Sequence, residues 1–473
     1  MRAADLAPIL PHILLAAGAV VLMLGIAFHR NYTLSFGITL TVLAGTLAAF
    51  LPLWGRPGRG LSLVTVDGYG VFYSLLMILS TTAVVLVSYR YLKDRPGIRE
   101  EYYLLLLLAC LGALVLVNSN HLASLFLGLE IMGVSLYTLI SYHRSSDFGL
   151  EAGIKYLVLA GASSAFLLFG MALLYYDIGS MRYADIAAGM GRPWGGTVMG
   201  LAGSGLILVG IGFKLGVVPF HMWTPDVFEG SPAPVTAFIA TVSKGSVFAL
   251  LLRLFNPVEP SGRLLTVFTL AAVASMLAGN LLALFQDNVK RLLAYSSIAH
   301  MGYTLVAFLS AGSLRVTAVT FYLLSYFISA MGAFGVVIAR SGPDGEAHDL
   351  EDYRGLSAKS PWLTFVFSLF LISLAGLPLT AGFIGKFYVL RAGVGSDRWF
   401  LVISLIAGSA VGLFYYLRLL AVMYMPADSG APARKLKYGL WQSVTLALLA
   451  ISLVWVGLNP GGLIRIIGSL GMG

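Results

Sequence analysis

The sequence predicts an all-α polytopic membrane protein, and three observations carry that prediction. Of 473 residues, 58% are hydrophobic; only 11% are charged, against about 25% in an average soluble domain; and apolar runs recur along the whole chain between short polar breaks. A spanning segment must satisfy every backbone amide internally, so apolar runs of roughly twenty residues read as helices. Fourteen such runs are expected, at approximately 9–28, 33–54, 69–89, 102–117, 120–142, 152–175, 198–219, 233–255, 264–285, 291–311, 316–339, 361–390, 399–425 and 438–458. The first, Pro8 to Phe28, is long enough to span and is followed by no small-residue cleavage site, so it reads as a membrane helix and not as a removable signal.

A formal charge of +9 raises the question of nucleic acid, but the basic residues are scattered singly through short loops and form no face. Anionic lipid headgroups are the expected partner, and nucleic acid is not. With the amino terminus outside, loop cations fall in slight excess on the cytoplasmic side, which favours both termini outside the cytoplasm. Cys110 is the one cysteine, so no disulfide, CxxC or iron–sulfur ligand set forms within this chain. There is no Walker loop, no dinucleotide fingerprint after a strand and no HExxH pattern. The 54 glycines instead suit close helix packing.

Two of the runs are interrupted, the seventh and the twelfth. One reads Lys214-Leu-Gly-Val-Val-Pro-Phe-His-Met-Trp, followed by Pro225, Pro232 and Pro234; the other reads Gly376-Leu-Pro-Leu-Thr-Ala-Gly-Phe-Ile-Gly-Lys386. Proline removes an amide donor and glycine relaxes the turn, so both helices are expected to break near mid-membrane. A pair of interrupted helices in two halves of a chain points to a transport pathway; the plain alternative is a pair of structural kinks.

Lys155, Lys214, Lys244, Lys386 and Arg418 fall inside the predicted spans, together with Glu130. Each charge costs about 2.5–3.5 kcal/mol to insert at a helix centre, which stability alone does not explain. Glu130 lies near the middle of its run between Gly128 and Gly133, and a carboxylate there wants a cation. Lys214 precedes the first break, Lys244 lies beside Ser243 and Gly245, and Lys386 ends the second interrupted stretch. Burial and a movable carboxylate act in opposite senses on a lysine, which is how such groups load and release a proton. The alternative for each is a lysine snorkelling near a helix end. Lys155 either pairs with Glu151 at i,i+4 or joins the chain of buried groups. His300 is a candidate relay or a hydrogen-bonded packing residue. His221 and Trp223 cap the broken end, and Arg418 is expected to be a fixed positive charge.

At these residues the sequence resembles the antiporter-like membrane subunits of respiratory complex I. The stretches that carry the resemblance are Glu151-Ala-Gly-Ile-Lys-Tyr156, Pro219-Phe-His-Met-Trp-Thr-Pro-Asp-Val-Phe-Glu-Gly-Ser-Pro232, Val289-Lys-Arg-Leu-Leu-Ala-Tyr-Ser-Ser-Ile-Ala-His-Met-Gly-Tyr303 and Gly376-Leu-Pro-Leu-Thr-Ala-Gly-Phe-Ile-Gly-Lys-Phe387. The Pro-Asp-Val-Phe-Glu-Gly-Ser-Pro wording and Lys386 look like one of the three sister subunits and unlike the other two, M and L. The resemblance implies a proton channel in which Glu130, Lys214, Lys244 and Lys386 match the family's buried glutamate and lysines. It also implies two inverted five-helix repeats, giving expected units 1–99, 100–257 (helices four to eight), 258–427 (helices nine to thirteen) and 428–473. Laid on one another, the repeats set Glu130 against His300, Lys214 against Lys386 and Lys244 against Arg418. The family further implies that NADH, FMN, iron–sulfur clusters and quinone are handled by other subunits, and that the partners are subunit M and the small membrane subunits. The expected setting is a bacterial inner membrane. Two other functions remain open on the sequence: a subunit of a multisubunit sodium/proton antiporter, and a non-conducting scaffold.

Overall fold

The computed structural model describes residues 7–55, 59–61, 63–95, 97, 99–143, 147–190, 197–255, 262–312, 314–342, 345–426 and 438–470. Of the loop cations behind the expected orientation, Arg2, Arg56, Arg144, Arg192, Arg434, Lys435 and Lys437 lie outside the described residues. The two pieces of an interrupted helix share a number here. The chain runs through α1 (Leu10–Phe28), α2 (Tyr32–Phe50), α3 (Gly68–Lys93), α4 (Glu100–Val117), α5 (Leu122–Ile140), α6 (Asp147–Ile178) and α7 (Val198–Leu215, then Trp223–Gly230). It continues through α8 (Ala233–Phe255), α9 (Gly262–Ala283), α10 (Val289–Phe308), α11 (Leu314–Arg340), α12 (Pro361–Ala375, then Ala381–Gly395), α13 (Trp399–Tyr424) and α14 (Leu440–Leu458).

Among the described residues, 12 helices are long and apolar enough to cross a membrane. The two that fall short are α10 and α12. In α10, Lys290, Arg291, His300 and several hydroxyls lower the hydropathy of a helix that is nonetheless buried along most of its length. In α12 the break leaves two 15-residue pieces. Sequence periodicity also missed small elements: an antiparallel hairpin pairing Arg59–Leu61 with Val64–Val66, and short helices Tyr183–Met190 and Pro460–Gly468. α6 is longer than expected because its polar first turn, from Asp147, stays helical beyond the apolar run.

Helix starts follow local chemistry. Asn31, Asp67, Thr197, Asn288 and Thr380 each turn a side-chain oxygen onto a free amide of the first turn of α2, α3, α7, α10 and the second piece of α12. Helices then pair by close approach: α4 on α5, α6 on the first piece of α7, α9 on α10, and α11 on both pieces of α12. Glycine permits the first of these contacts, since a Cβ on Gly112 would lie 2.6 Å from the Met132 amide and 2.7 Å from the Gly128 carbonyl. α8 is wholly buried, and α3, α4 and α11 pack around it as the core, with α10 buried alongside, while α1, α2, α6, α9 and α13 turn rows of exposed apolar side chains outward. Because Gly112 faces backbone, which cannot move aside, Gly112→Leu is expected to destabilise the α4–α5 pair by about 1–3 kcal/mol. Its measure is the amount of folded subunit in membranes, set against Gly37→Leu, where a Cβ meets nothing within 4 Å.

Candidate functional site: a buried polar chain across the bundle

The breaks in α7 and α12 share one local cause. Gly216 ends the first piece of α7 with φ +67° and Gly376 ends the first piece of α12 with φ +83°, a left-handed conformation that glycine adopts without strain. A helix cut inside a bundle leaves carbonyls without partners, and side chains satisfy them. The Trp223 indole donates to the Phe213 carbonyl at 2.8 Å, and Lys386 Nζ donates to the Ala375 carbonyl at 2.8 Å. Trp223 is therefore the cap of the first break, as its position suggested; His221 Nδ1 is buried without a partner beside it.

Around these breaks lies a row of polar groups, buried in its middle and half-buried at Glu130, Ser164 and Ser409. It begins with Glu130 on α5, whose Oε1 accepts a hydrogen bond of 2.5 Å from Ser164 on α6. Lys214, in the last turn before the first break, is 3% exposed, and its Nζ has no hydrogen-bond partner. It sits 5.5 Å from the centre of the Tyr156 ring and 3.4 Å from where a Cβ on Gly133 would be. The expected Glu130–Lys214 ion pair is therefore not closed in this structure. Lys214 faces the region of α5 around Gly133, about one turn from Glu130.

Tyr156 leads on to Trp223, ring to ring at 5.0 Å, and Trp223 lies 5.9 Å from Lys244 Nζ. Lys244 is fully buried, with its ammonium also 5.4 Å from the Phe228 ring and 2.5 Å from Ser297 Oγ, to which it donates. It follows a π-helical turn, Ile239–Ser243, a local widening that marks functional positions in many helices. From Ser297 the chain passes along α10. Tyr326 interacts with Ser297 and lies tilted 5.0 Å from the His300 ring. His300 meets the Tyr322 hydroxyl at 2.7 Å through Nδ1 and the Tyr416 hydroxyl at 3.2 Å through Nε2. Tyr416 also shares a hydrogen bond with Ser296. Tyr303, held by Asn280 at 2.8 Å, lies between His300 and Lys386, whose Nζ is 5.2 Å from its ring. Lys386 donates to Ser409 at 2.9 Å and ends the chain on α13.

The structure thus gathers Glu130, Lys214, Lys244, His300 and Lys386 along one line. Lys155, for which pairing with Glu151 was one of two expectations, and Arg418, expected as a fixed positive charge within a span, both lie outside this line. Lys155 is 43% exposed and pairs with both Glu151 at 2.7 Å and Asp226 at 2.8 Å, so it belongs to a surface network that also holds Arg291 and Glu229. Arg418 is partly exposed and caps the carboxyl end of α9, donating to the Leu284 and Gln286 carbonyls and to Asp287. It is not a charge in the interior. Lys290, just before the expected tenth run, and Arg253, near the end of the expected eighth, are also buried. Sequence reasoning missed Ser164, Ser297, Tyr322 and Tyr416, because a hydroxyl within an apolar run carries no signal until its neighbours are known. Among the described residues, no group of three or more His, Cys, Asp or Glu converges to hold a metal ion.

The fold and the sequence agree with comparisons to known proteins. The pattern of a family described as "NADH:quinone oxidoreductase/Mrp antiporter, TM" matches residues 119–412, which contain Glu130, Lys214, Lys244, His300 and Lys386. NADH-quinone oxidoreductase subunit N of Ectopseudomonas mendocina is 44% identical over 98% of this chain and 96% of its own length. The chain belongs to the subunit N family of NADH-quinone oxidoreductase. Subunit N of Methylococcus capsulatus is 47% identical over 97% of this chain and 94% of its own length. A chain of respiratory complex I from Thermus thermophilus, solved with bound aureothin, superposes with a TM-score of 0.84 at 34% identity, covering 98% of this chain and 100% of that one.

Membership makes this a proton-translocating, multi-pass membrane subunit of bacterial complex I. Because Ser297 is the hydrogen-bond partner of the Lys244 ammonium, Ser297→Ala leaves a buried charge without an acceptor, a penalty of about 1–3 kcal/mol, or roughly fivefold to a hundredfold in a rate it limits. NADH-driven proton uptake into membrane vesicles is expected to fall within that range. Lys155→Ala, by contrast, should pump close to the parental rate, since the ammonium it removes faces solvent.

Proposed function

We propose that this subunit conducts protons through Glu130, Lys214, Lys244, His300 and Lys386, driven by quinone reduction in other subunits of complex I. The observation that carries the proposal is the run of buried rings, hydroxyls and ammonium groups from Lys214 to Lys386, with the half-buried Glu130 and Ser164 near one end and the half-buried Ser409 at the other. Each step spans a few ångströms, which rotating hydroxyls and bound water bridge without moving a helix. Redistributing charge near Glu130 changes what holds the Lys214 ammonium, and the displaced proton passes by way of Lys244 to Lys386. Lys155 is left out of the path.

The same reading takes the chain as fourteen crossings, with α10 and the two pieces of α12 as the additional spans. It divides the chain into 1–99, the repeats 100–257 and 258–427, and 428–473. The parallel packing of the two repeats supports this: α4 pairs with α5, α6 with α7 and α8 with α4 in one, and α9 with α10, α11 with α12 and α13 with α9 in the other. The glycine breaks occupy corresponding places, as inverted repeats require. Lys244 and Arg418 also correspond, yet only Lys244 faces the interior, so the second repeat supplies its proton carriers from α10 and α12. NADH, FMN, iron–sulfur clusters and quinone belong to other subunits, subunit M and the small membrane subunits are the neighbours, and both termini lie on the periplasmic face of the inner membrane.

A sodium/proton antiporter subunit is the second reading, since the family description spans both groups. Sodium-dependent proton flux in the absence of NADH would favour it. The test of the first is Lys214→Ala and Glu130→Ala in the chromosomal copy, with assembly checked in native gels. Coupled NADH oxidation and the NADH-driven proton gradient are expected to fall at least about tenfold, the effect of about 1.4 kcal/mol on the rate-limiting transfer. Normal values of both in assembled complexes would make the subunit a scaffold.

A further inference from the structure

An ion pair lies at each end of the buried helix α8. At its carboxyl end Arg253 grips Asp67 in a fork of 2.9 and 2.7 Å, and also donates to the Val117 carbonyl, while Asp67 caps α3. That pair is fully engaged by structural partners and reads as a clamp.

The pair at the amino end is built differently. Lys290, on the first turn of α10, donates to Glu346 Oε2 and to the Ser231 carbonyl, both at 2.6 Å. The other oxygen of Glu346 accepts from the Tyr91 hydroxyl and, at 2.7 Å, from the Ala233 amide that opens α8. The Lys290 side chain is 1% exposed and that of Glu346 10%, so the carboxylate lies on the outer side of the pair and the ammonium on the inner. Arg95, stacked on the Tyr91 ring at 3.7 Å, and His143 also face this cluster. His143 Nε2 is buried there without a partner.

Inward from the pair, the polar groups lead to one residue. Ser231 Oγ and Thr236 Oγ1 are 2.7 Å apart, and Thr241 and Ser243 follow on α8, all buried, before Lys244. On α10, Ser297 lies two turns beyond Lys290 on the same face, about 10 Å along the axis, and Ser297 is the hydrogen-bond partner of Lys244. We propose that the Lys290–Glu346 pair is the gate through which protons reach Lys244 from the end of the bundle where α8 and α10 begin. The proposal rests on Lys244 being a proton carrier.

While the pair is closed, the gate is shut. Burial pushes the Glu346 carboxyl up, but Lys290, the Tyr91 hydroxyl and the Ala233 amide outweigh it and hold the group down to about 2, where it takes no proton at neutral pH. Separating the two side chains removes the strongest of those partners and leaves burial in charge, so Glu346 accepts a proton from water. With its carboxylate gone the Lys290 ammonium keeps only the Ser231 carbonyl, and its proton passes inward through the hydroxyls to a neutral Lys244 amine beside Ser297. Glu346 then hands its proton to Lys290. The pair ends in its starting state, and one proton has moved from water to Lys244.

The test compares Glu346→Gln, Glu346→Asp, the double variant Glu346→Gln/Lys290→Met, and Lys244→Ala in assembled complex I in vesicles, reading NADH-driven proton uptake and its pH profile. A gate predicts a several-fold loss in Glu346→Gln, partial recovery with an altered pH profile in Glu346→Asp, and no recovery in the double variant. A structural pair predicts the reverse for the double variant, because replacing both charges by neutral groups is often harmless to stability. Parental pumping in Glu346→Gln or in the double variant, or failure of the double variant to assemble, overturns the gate. Normal pumping in Lys244→Ala overturns the underlying assignment of Lys244 instead.

Discussion

Three ammonium groups, those of Lys214, Lys244 and Lys386, are buried inside this bundle, and among the described residues none has a carboxylate within 4.0 Å. Much of the interior is arranged around that constraint. A buried charge without a counter-charge needs polarisable or dipolar neighbours, and each lysine is given a different set. Lys214 has the Tyr156 ring, Lys244 has two rings and the Ser297 hydroxyl, and Lys386 has a severed-helix carbonyl, Ser409 and Tyr303. Rings and hydroxyls hold an ammonium less firmly than a carboxylate does, and this is the property a proton carrier needs. Arg253 and Asp67 show the contrary arrangement, a saturated bidentate pair suited to permanence.

The glycines at the breaks serve the same constraint. A Cβ on Gly216 would lie 3.2 Å from Lys244 Nζ, one on Gly376 would lie 2.6 Å from Lys386 Cδ, and one on Gly133 would lie 3.4 Å from Lys214 Nζ. Each lysine thus ends in a gap that a glycine leaves open. At Gly216 and Gly376 the same residue also breaks the helix, so the left-handed turn and the space for the ammonium are one feature. The loss of regular backbone hydrogen bonds at these points is tolerated because the side chains beside them supply donors.

How far the sequence could be read follows from the physics of each signal. Long apolar runs and the Gly/Pro interruptions are local properties, so α1 to α9 and both breaks lie where hydropathy and punctuation put them. Glu130, Lys214, Lys244 and Lys386 stood out because an ionisable residue inside an apolar run is costly wherever the run folds. Two kinds of error came from the same rule. Arg418 sits inside an apolar run and yet reaches the end of α9, since a long side chain is placed by where its head lands. Lys290 sits in polar surroundings in the sequence and is buried, because its partner Glu346 is 56 residues away and only the fold brings it near. The hydroxyl and aromatic links, Ser297, Tyr322 and Tyr416, were invisible for that reason too.

The spacing of the lysines suggests why a single chain holds several of them. Lys214 and Lys244 are joined by ring contacts of 5.5, 5.0 and 5.9 Å, so their charges interact across a medium of low polarity. Two unit charges about 15 Å apart repel by about 1 kcal/mol at an effective dielectric of about 20. In the proposed path a proton arriving on one lysine therefore weakens the hold of the next by about fivefold, without any change of shape. Glu130 lies at only one end of the line, so the stabilising charge is asymmetric and repulsion has a direction in which to relax, from Lys214 through Lys244 toward Lys386. Conduction in this scheme is set by the order in which neighbouring sites can be charged together. In the proposed path the ion pair at the start of α8 decides when the middle lysine is refilled.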